Sequence, residues 1–311
     1  MSAPRTESAE IPVVGAQQRP DWLPAAVDEL HAVVEQAGAV KVSGLDVRDR
    51  AGAVAAIRAV LPSPLSEREG FAPRDTYAPG VYSSSHWPQN QPMCMHHELS
   101  YTLQFPRLMA FCCVTPPTTG GVTALADARQ VLAALPPDLV ARFEQTGWML
   151  TRNYNELLGT PWTQAFGGDR AQVEQYCRDN DIEFEWDASG GLRTRQRRQA
   201  VVKHPVTGER CWFNQIAFLN EWTMDPGIRE YLTDEFGRDG LPFTTYFGDG
   251  TPLTPAMVDQ INAVYEQNTV RHTWQRGDLL IVDNVRMAHS REPYDGEREI
   301  VVGMGAPATR G

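Results

Sequence analysis

The sequence is poor in the features that mark secreted and membrane proteins. It has only five cysteines in 311 residues, an odd number, and none in a C-x-x-C spacing. We therefore expect buried free thiols in a reducing compartment rather than a disulfide framework. No apolar run reaches the roughly 18 residues of a membrane-spanning helix, and no secretory signal opens the chain. We therefore expect a cytoplasmic protein without a membrane partner.

Positive charge is scarce as well. Lys and Arg number 28 against 39 Asp and Glu, so the formal net charge is −11. Nucleic acids and anionic membrane surfaces bind basic patches, and neither is an expected partner. The one basic cluster, RTRQRRQ at 193–199, follows a Gly-Gly turn. Two interpretations of it stay open: a solvated strand or loop, and a local anchor for an anionic partner.

Internal repeats and low-complexity linkers are absent, which favours a single domain over 21–311 behind a mobile N-terminal tail, 1–20. Apolar residues at helical spacing predict a helix that ends at Gly38 and another that begins behind Thr254. Short apolar runs such as RLMAFCCV and LLIVDN predict strands instead. Many short strands with a few inserted helices predict a mainly β fold with flanking helices and a double-stranded β-helix (jelly-roll) core.

The stretch MCMHHELSYT places two histidines and a glutamate side by side. A zinc-protease motif, H-E-x-x-H on a helix, is excluded because Tyr101 stands where the second histidine is needed. If 95–101 is extended, His96 and Glu98 point to one face and His97 to the other. The resulting H-x-E pair supplies two ligands of a 2-His-1-carboxylate site, which holds Fe(II) and leaves positions open.

The third ligand must be a histidine that arrives from another strand. The candidates are His31, His86, His97, His204, His272 and His289. His289 follows the predicted strand LLIVDN, which is a natural rim position in a jelly roll. Arg298 stands nine residues later (298 − 289), where its guanidinium can make a two-pronged contact with a dicarboxylic cosubstrate. Each feature alone is more often structural, and only their joint arrangement indicates a metal site.

These segments resemble the taurine/α-ketoglutarate dioxygenase (TauD/TfdA) family of Fe(II)/2-oxoglutarate oxygenases, from about residue 38 to about residue 305. The segments that carry the resemblance are HHELSYT, GGVTALAD, RNY, WFNQ, GDLLIVDN and AHSREPYDGERE. The pattern is closest to the syringomycin-type amino-acid hydroxylases of nonribosomal peptide pathways, some of which act on a carrier-tethered amino acid. By motif, the resemblance implies His96, Glu98 and His289 as iron ligands. It implies Thr123 and Arg298 as contacts for 2-oxoglutarate.

The resemblance also implies a reaction. Fe(II), 2-oxoglutarate and O₂ would hydroxylate an unactivated C–H bond of an amino acid or an amino-acid-derived small molecule, free or carrier-tethered, in natural-product biosynthesis. Halogenation is not expected, because related halogenases lack the carboxylate that Glu98 provides. Desaturation, cyclisation and epimerisation begin with the same hydrogen abstraction and stay open. A non-catalytic jelly-roll binder of small acids and a zinc hydrolase are alternatives from other classes.

Several polar residues near aromatic or apolar neighbours are candidates for substrate contacts. They are Arg152, Asn153, Asn214, Gln215, Arg291 and Ser84. Satisfying buried backbone groups is an equal alternative for the first four, and an exposed polar loop is the alternative for Ser84. Asp283 and Asn284 are predicted either to orient the ligand rings or to close the turn after their strand. The oligomeric state stays open.

Overall fold

Five β-sheets and flanking helices make up the described part of the protein, in a computed structural model that covers residues 10–17, 21–154 and 160–310. The helices are α1 Trp22–Ala37, α2 Arg50–Val60, α3 Ala128–Ala134, α4 Pro137–Thr146, α5 Trp162–Phe166, α6 Arg170–Asp179, α7 Pro226–Phe236 and α8 Pro255–Gln267. Short 3₁₀ turns span Glu221–Thr223 and Arg238–Gly240. Within the described ranges, no helix is both long and apolar enough to cross a bilayer.

The strands are, in chain order, β1 Val13–Gly15, β2 Ala39–Ser43, β3 Thr76–Ala78, β4 Val81–Ser83, β5 Met93–His96, β6 Gln104–Thr115, β7 Thr119–Gly120, β8 Leu125–Asp127, β9 Trp148–Tyr154, β10 Ile182–Trp186, β11 Leu192–Arg198, β12 Val201–Lys203, β13 Arg210–Trp212, β14 Phe243–Phe247, β15 Thr269–Val270, β16 Leu279–Asp283, β17 Met287–Arg291, β18 Tyr294–Asp295 and β19 Glu299–Thr309. Two of the sheets form the jelly-roll core: the larger sheet has the order β1-β2-β16-β6-β19-β4-β3, and the smaller sheet has the order β15-β8-β17-β5. The other three sheets are β10-β11-β9-β14, β12-β13 and β18-β7. Side chains from the larger and the smaller sheet meet in one core cluster. This is the predicted mainly β jelly roll with flanking helices.

The central strand β6 shows why the run RLMAFCCV is almost wholly apolar. Met109 and Phe111 point into the core between the two sheets. Leu108 and Ala110 point to the opposite face, where they join the cluster that α1 and α2 cover. Since successive side chains alternate between faces, a strand buried on both faces must be apolar throughout.

The ends of the helices follow the predicted signals. Gly38 adopts φ +85° after α1, and its N–H donates to the carbonyl of Val34. Thr254 accepts a hydrogen bond from the backbone N–H of Met257 at the start of α8. Both contacts satisfy backbone groups that a helix end leaves free.

The basic cluster at 193–199 lies mostly in β11, between β10 and β9. Two of its arginines have these partners within the chain: Arg193 pairs with Asp239 at 2.8 Å, and the buried Arg198 donates to the carbonyl of Tyr101 at 2.8 Å. The strand interpretation therefore describes this segment.

Part of the predicted tail belongs to the larger sheet. β1 pairs in parallel with β2, with Val14 opposite Val42. This pairing places 13–15 at the edge of the sheet, and the mobility of the tail stays a prediction. Residues 1–9 and 18–20 of the predicted tail lie outside the described residues, and the single-domain boundary stays a prediction.

Substitution by alanine should destabilise the protein to different extents at two glycines that have similar φ angles. Gly277 has φ +81° and Gly208 has φ +72°, so an alanine at either position should cost about 1 kcal/mol in strain. At Gly277 the new Cβ would also lie 2.1 Å from the carbonyl oxygen of Leu45, whereas nothing lies within 4 Å at Gly208. Urea unfolding should therefore show a clearly larger loss for Gly277→Ala than for the matched Gly208→Ala. Equal losses would contradict the close approach.

Candidate metal centre

Neighbouring strands of the smaller sheet bring the three predicted ligands together. β5 and β17 are antiparallel, and His96 lies directly opposite His289. His96, Glu98 and His289 each offer one ligand atom, and these three atoms all lie within 4.8 Å of one another. The Nε2 of His289 is 3.9 Å from the Oε2 of Glu98, and all three side chains are buried. Atoms that bind one metal at about 2 Å must lie this close together.

The local backbone around the ligands differs from the prediction in two respects. The stretch 95–101 is not extended throughout, because β5 ends at His96 and the chain then turns, with Leu99 at φ +52°. His289 does not lie in a rim loop but within its own strand, β17. The reversal after β16 is short, so the chain re-enters a sheet before it reaches His289.

Burial favours the neutral form of both histidines. Burial lowers the pKa of His96 and lowers that of His289 well below its usual value. The Nδ1 of His96 lies 2.8 Å from the carbonyl oxygen of Cys94, to which it donates, so Nε2 keeps its lone pair. Phe218 stacks on the His96 ring, with the centroids 4.7 Å apart. These contacts fix the tautomer and orientation that a metal ligand needs.

Asn284 holds the backbone of Glu98 in place. The N–H of Glu98 donates to the Oδ1 of Asn284 at 2.8 Å, and the Nδ2 of Asn284 donates to the carbonyls of Glu98 and Pro106. Asn284 therefore positions a ligand through its main chain rather than through a ring. Asp283 caps the turn by accepting from backbone N–H groups, and it also accepts from His204 at 2.8 Å. Its position corresponds to the predicted turn role.

Arg74 is a residue that sequence reasoning missed. Its Nη2 donates to the Oε2 of Glu98 at 2.9 Å, and its Nε lies 3.7 Å from the Oε2 of Glu67. Arg74 is only 8% exposed, so these charges are largely withdrawn from water. It stands in a loop without a recognisable pattern, and no local signal in the sequence could have identified it. Its single positive charge faces two buried carboxylates.

A polar cavity begins at the three ligands and contains the residues predicted to contact 2-oxoglutarate. Arg298 lies in its wall and donates to the Oγ1 of Thr123 at 3.3 Å, the Oγ of Ser84 at 3.4 Å and the carbonyl of Gly121 at 3.1 Å. Trp274 also donates to Thr123, at 3.3 Å. The structure thus brings Thr123, Arg298 and Ser84 to the same space as the ligands.

Arg298 faces this cavity with a charge that its partners do not neutralise. Burial, together with the neighbouring Arg291, lowers the pKa of Arg298 to about 10. The guanidinium is still protonated at neutral pH, and its partners are two hydroxyls and a carbonyl rather than a carboxylate. A bound anion would raise the pKa again and stabilise the charged form.

Arg291 lines the same cavity, as predicted for a substrate contact, but its Nη groups have other partners. Nη1 donates to the carbonyl of Trp87 at 3.1 Å, and Nη2 donates to those of Pro88 and Gln91, each at 2.6 Å. Arg291 therefore anchors the loop 87–91 to β17.

The other candidates for substrate contacts do not line this cavity in the described structure. Arg152 donates to the carbonyls of Glu69 and Gly70, Asn153 to those of Asp239 and Leu241, Asn214 to that of Ala200, and Gln215 to that of His97. These contacts match the alternative of buried backbone groups that need partners. Sequence alone does not separate the two roles, since both require a polar side chain among apolar neighbours.

The family model described as "Taurine catabolism dioxygenase TauD, TfdA family" matches residues 6–304. The chain belongs to this family. It is accordingly a non-haem iron, 2-oxoglutarate-dependent dioxygenase that uses Fe(II), 2-oxoglutarate and O₂. The alternatives of a non-catalytic binder and a zinc hydrolase are not retained.

Individual members of the family align over nearly the whole chain. The dapdiamide synthesis protein DdaC of Enterobacter agglomerans is 29% identical over 290 residues, 91% of this chain and 88% of that protein. A clavaminate synthase-like protein of Arabidopsis thaliana is 26% identical over 97% of this chain and 92% of its own length. The crystal structure of the PvcB protein from Pseudomonas aeruginosa shares the fold, with a TM-score of 0.53 and 14% identity over 98% of this chain and 90% of that one.

We expect that replacing Arg74 will destabilise the metal-free protein. Arg74→Gln leaves the buried carboxylate of Glu98 without its partner, which should lower the free energy of unfolding by about 3–5 kcal/mol. Arg48→Gln is the matched control, because Arg48 pairs with Asp46 on an exposed surface. Urea unfolding in the presence of a chelator should separate the two variants clearly. Two equally small losses would show that Arg74 does not balance this charge.

Proposed function

We propose that His96, Glu98 and His289 hold the Fe(II) and that Arg298 and Thr123 bind the distal carboxylate of 2-oxoglutarate. The reaction is hydroxylation of an unactivated C–H bond in an amino acid or an amino-acid-derived small molecule. One observation carries the proposal: two neutral imidazoles and a carboxylate converge in a cavity whose wall holds a cation without an anion.

The donor set suits ferrous iron. Two imidazoles and one carboxylate on one side of an ion form the facial triad of non-haem iron oxygenases, and they leave further positions for the cosubstrate and O₂. When bound, the iron supplies the activation of O₂ that is coupled to decarboxylation of 2-oxoglutarate. The chain contributes the orientation of its ligands through Asn284, Arg74 and the carbonyl of Cys94. Apolar residues such as Phe111, Ile300 and Val302 line the same cavity and help to exclude water.

The polar side of the cavity suits a dicarboxylate. A carboxylate near Arg298 would accept from its guanidinium and from the hydroxyl of Thr123, which lie 3.3 Å apart. Ser84 offers a second hydroxyl beside the same guanidinium. Charge-assisted hydrogen bonds of this kind would anchor one end of the cosubstrate, while its keto-acid end reaches the metal ligands.

Similarity to a dapdiamide synthesis protein supports a role in the biosynthesis of a natural product. An amino-acid-derived substrate follows from that similarity and from the resemblance of the motifs to amino-acid hydroxylases. A free substrate is favoured over one tethered to an acidic carrier protein, because the chain carries a net charge of −11. The cytoplasm is the compartment proposed, since the five cysteines are free thiols.

Removing the imidazole of His289 should abolish binding of the metal. His289→Ala should abolish binding of Mn(II), used as a redox-inert substitute for iron, and with it all Fe(II)-dependent formation of succinate. His86→Ala is the control, because His86 is exposed and pairs only loosely with Asp75, at 3.5 Å. Metal titration followed by calorimetry would measure the first effect and a succinate assay the second. Retained metal binding in His289→Ala would remove this residue from the proposed site.

We expect that replacing Arg298 will weaken the binding of 2-oxoglutarate. Arg298→Gln should raise the concentration of 2-oxoglutarate needed for half-maximal turnover by about 10–100-fold, since hydrogen bonds to charged groups contribute about 1.5–3 kcal/mol. Arg298→Lys keeps the charge but loses the planar fork, and it should recover part of the affinity. Mn(II) binding should be unchanged in both variants. Unaltered kinetics in Arg298→Gln would place 2-oxoglutarate elsewhere.

The outcome of the reaction is open to a direct measurement. Mass spectrometry of the product should show the gain of one oxygen atom for hydroxylation. Desaturation or cyclisation would instead remove two hydrogen atoms, and epimerisation would leave the mass unchanged. Formation of one succinate per product molecule would confirm that both processes are coupled.

A further inference from the structure

A second cavity, of about 490 Å³, is lined mainly by apolar side chains. Its walls include Trp87, Cys94, Phe218, Met224, Leu232 and Phe243. We call it the apolar cavity. Its volume lies within the range of small-molecule binding sites, about 300–1,000 Å³. No residue of this cavity was identified as a functional candidate from the sequence.

Two lining residues of the apolar cavity also contact a metal ligand. Phe218 stacks on the ring of His96, with the centroids 4.7 Å apart and the planes inclined by 22°. The carbonyl of Cys94 accepts the hydrogen bond from the Nδ1 of His96 at 2.8 Å. A single layer of side chains therefore separates the apolar cavity from the proposed iron site.

Arg291 connects the two cavities. It lines the polar cavity beside Arg298, and its guanidinium holds the carbonyls of Trp87 and Gln91. The side chains of Trp87 and Gln91 line the apolar cavity. The loop that closes the apolar cavity is thus anchored to the strand that carries His289, so the two cavities share a wall.

The charges of the apolar cavity disfavour an anionic ligand. Its lining contains no Lys, Arg or His in the described parts of the chain, and its one charged group is the carboxylate of Asp225. The Oδ1 of that carboxylate accepts from the backbone N–H groups of Gly227 and Ile228 at the start of α7. A sulfonate or carboxylate buried here would lose its hydration without gaining a cationic partner.

Aromatic rings give the apolar cavity its shape. Phe71 packs edge-on against Phe218 at 5.1 Å and Phe243 at 5.0 Å between centroids, and Trp87 lies 5.8 Å from Phe71. Their faces are therefore partly occupied by one another, which favours an apolar ligand over a cation seated on an open ring. At the rim, Ile228 on α7 is 50% exposed, so the mouth of the cavity is apolar too.

We propose that the apolar cavity binds a neutral apolar part of the substrate, an aromatic or branched aliphatic group, and so selects against sulfonates such as taurine. This inference rests on the proposed function, because it is the contact with His96 that makes the occupant a substrate. The apolar group would lie against Phe218 and Cys94, the two lining residues that contact His96.

The test uses the protein loaded with Mn(II) and 2-oxoglutarate, and three probes that differ in charge. N-acetyl-phenylalanine amide is neutral and aromatic, N-acetyl-lysine amide is cationic, and taurine carries a sulfonate. Ligand-observed NMR measures the affinity of each probe and the paramagnetic relaxation that the Mn(II) causes. We expect binding and strong relaxation for the neutral probe, and at least about tenfold weaker binding for the other two.

Two variants and one control locate the binding. Ile228→Glu places a charge at the rim and Met224→Trp fills the interior, and each should weaken binding of the neutral probe by about tenfold or more. Tyr231→Glu is the control, because Tyr231 lies on the same helix and is 63% exposed. All three variants should keep their affinity for Mn(II) and 2-oxoglutarate.

The outcomes distinguish this inference from the proposed function. Tighter binding of a charged probe, no binding of the neutral probe, or neutral-probe affinity that is the same in Ile228→Glu and Met224→Trp as in the wild type would overturn the inference. In each of those cases Mn(II) and 2-oxoglutarate would still bind. Failure of the wild-type protein to bind Mn(II) would instead overturn the proposed function.

Discussion

The antiparallel pairing of β5 with β17 is the contact on which the proposed iron site depends. It sets His96 opposite His289, and both rings then point to the same face of the smaller sheet. A shift of one residue would turn either histidine to the other face. The pairing of β17 with β8 on its other side, with Met287 opposite Asp127, restrains the register further. The placement of the two histidines is therefore a consequence of sheet register, whereas Glu98 lies in the turn that follows β5.

Charge balance is the second constraint on the site. Glu98 is the one acidic residue of the predicted ligand set, and Arg74 donates to its Oε2, so the metal-free protein does not bury a lone carboxylate. On the opposite wall, Arg298 stays charged among hydroxyls and a carbonyl. Burial keeps the two imidazoles neutral, which leaves their nitrogens free for a cation. The arrangement accepts a divalent cation and an anionic cosubstrate together, because each supplies the charge that the other requires.

The two cavities differ in their linings: one carries charged and polar groups, and the other is mainly apolar. The polar cavity combines Arg298 and Thr123 with the ligands, whereas the apolar cavity is shaped by Trp87, Phe218 and Phe243. Arg291 lines the polar cavity and donates to the carbonyl of Trp87, and the ring of His96 stacks on Phe218. Both residues therefore connect the wall of the polar cavity with that of the apolar cavity.

The sequence by itself determined the character of the elements and predicted which residues would serve as ligands. The alternation along β6, the glycine after α1 and the cap of α8 are local effects, and each was predictable from a few neighbouring residues. The H-x-E pair, the later histidine and the following arginine were recognisable because their chemistry leaves few substitutes. Only the tertiary structure decided what those residues meet. Arg74 reaches Glu98, Asn284 holds its backbone, and Arg152 turns to backbone carbonyls, because loop paths and sheet register bring together groups that no sequence spacing relates.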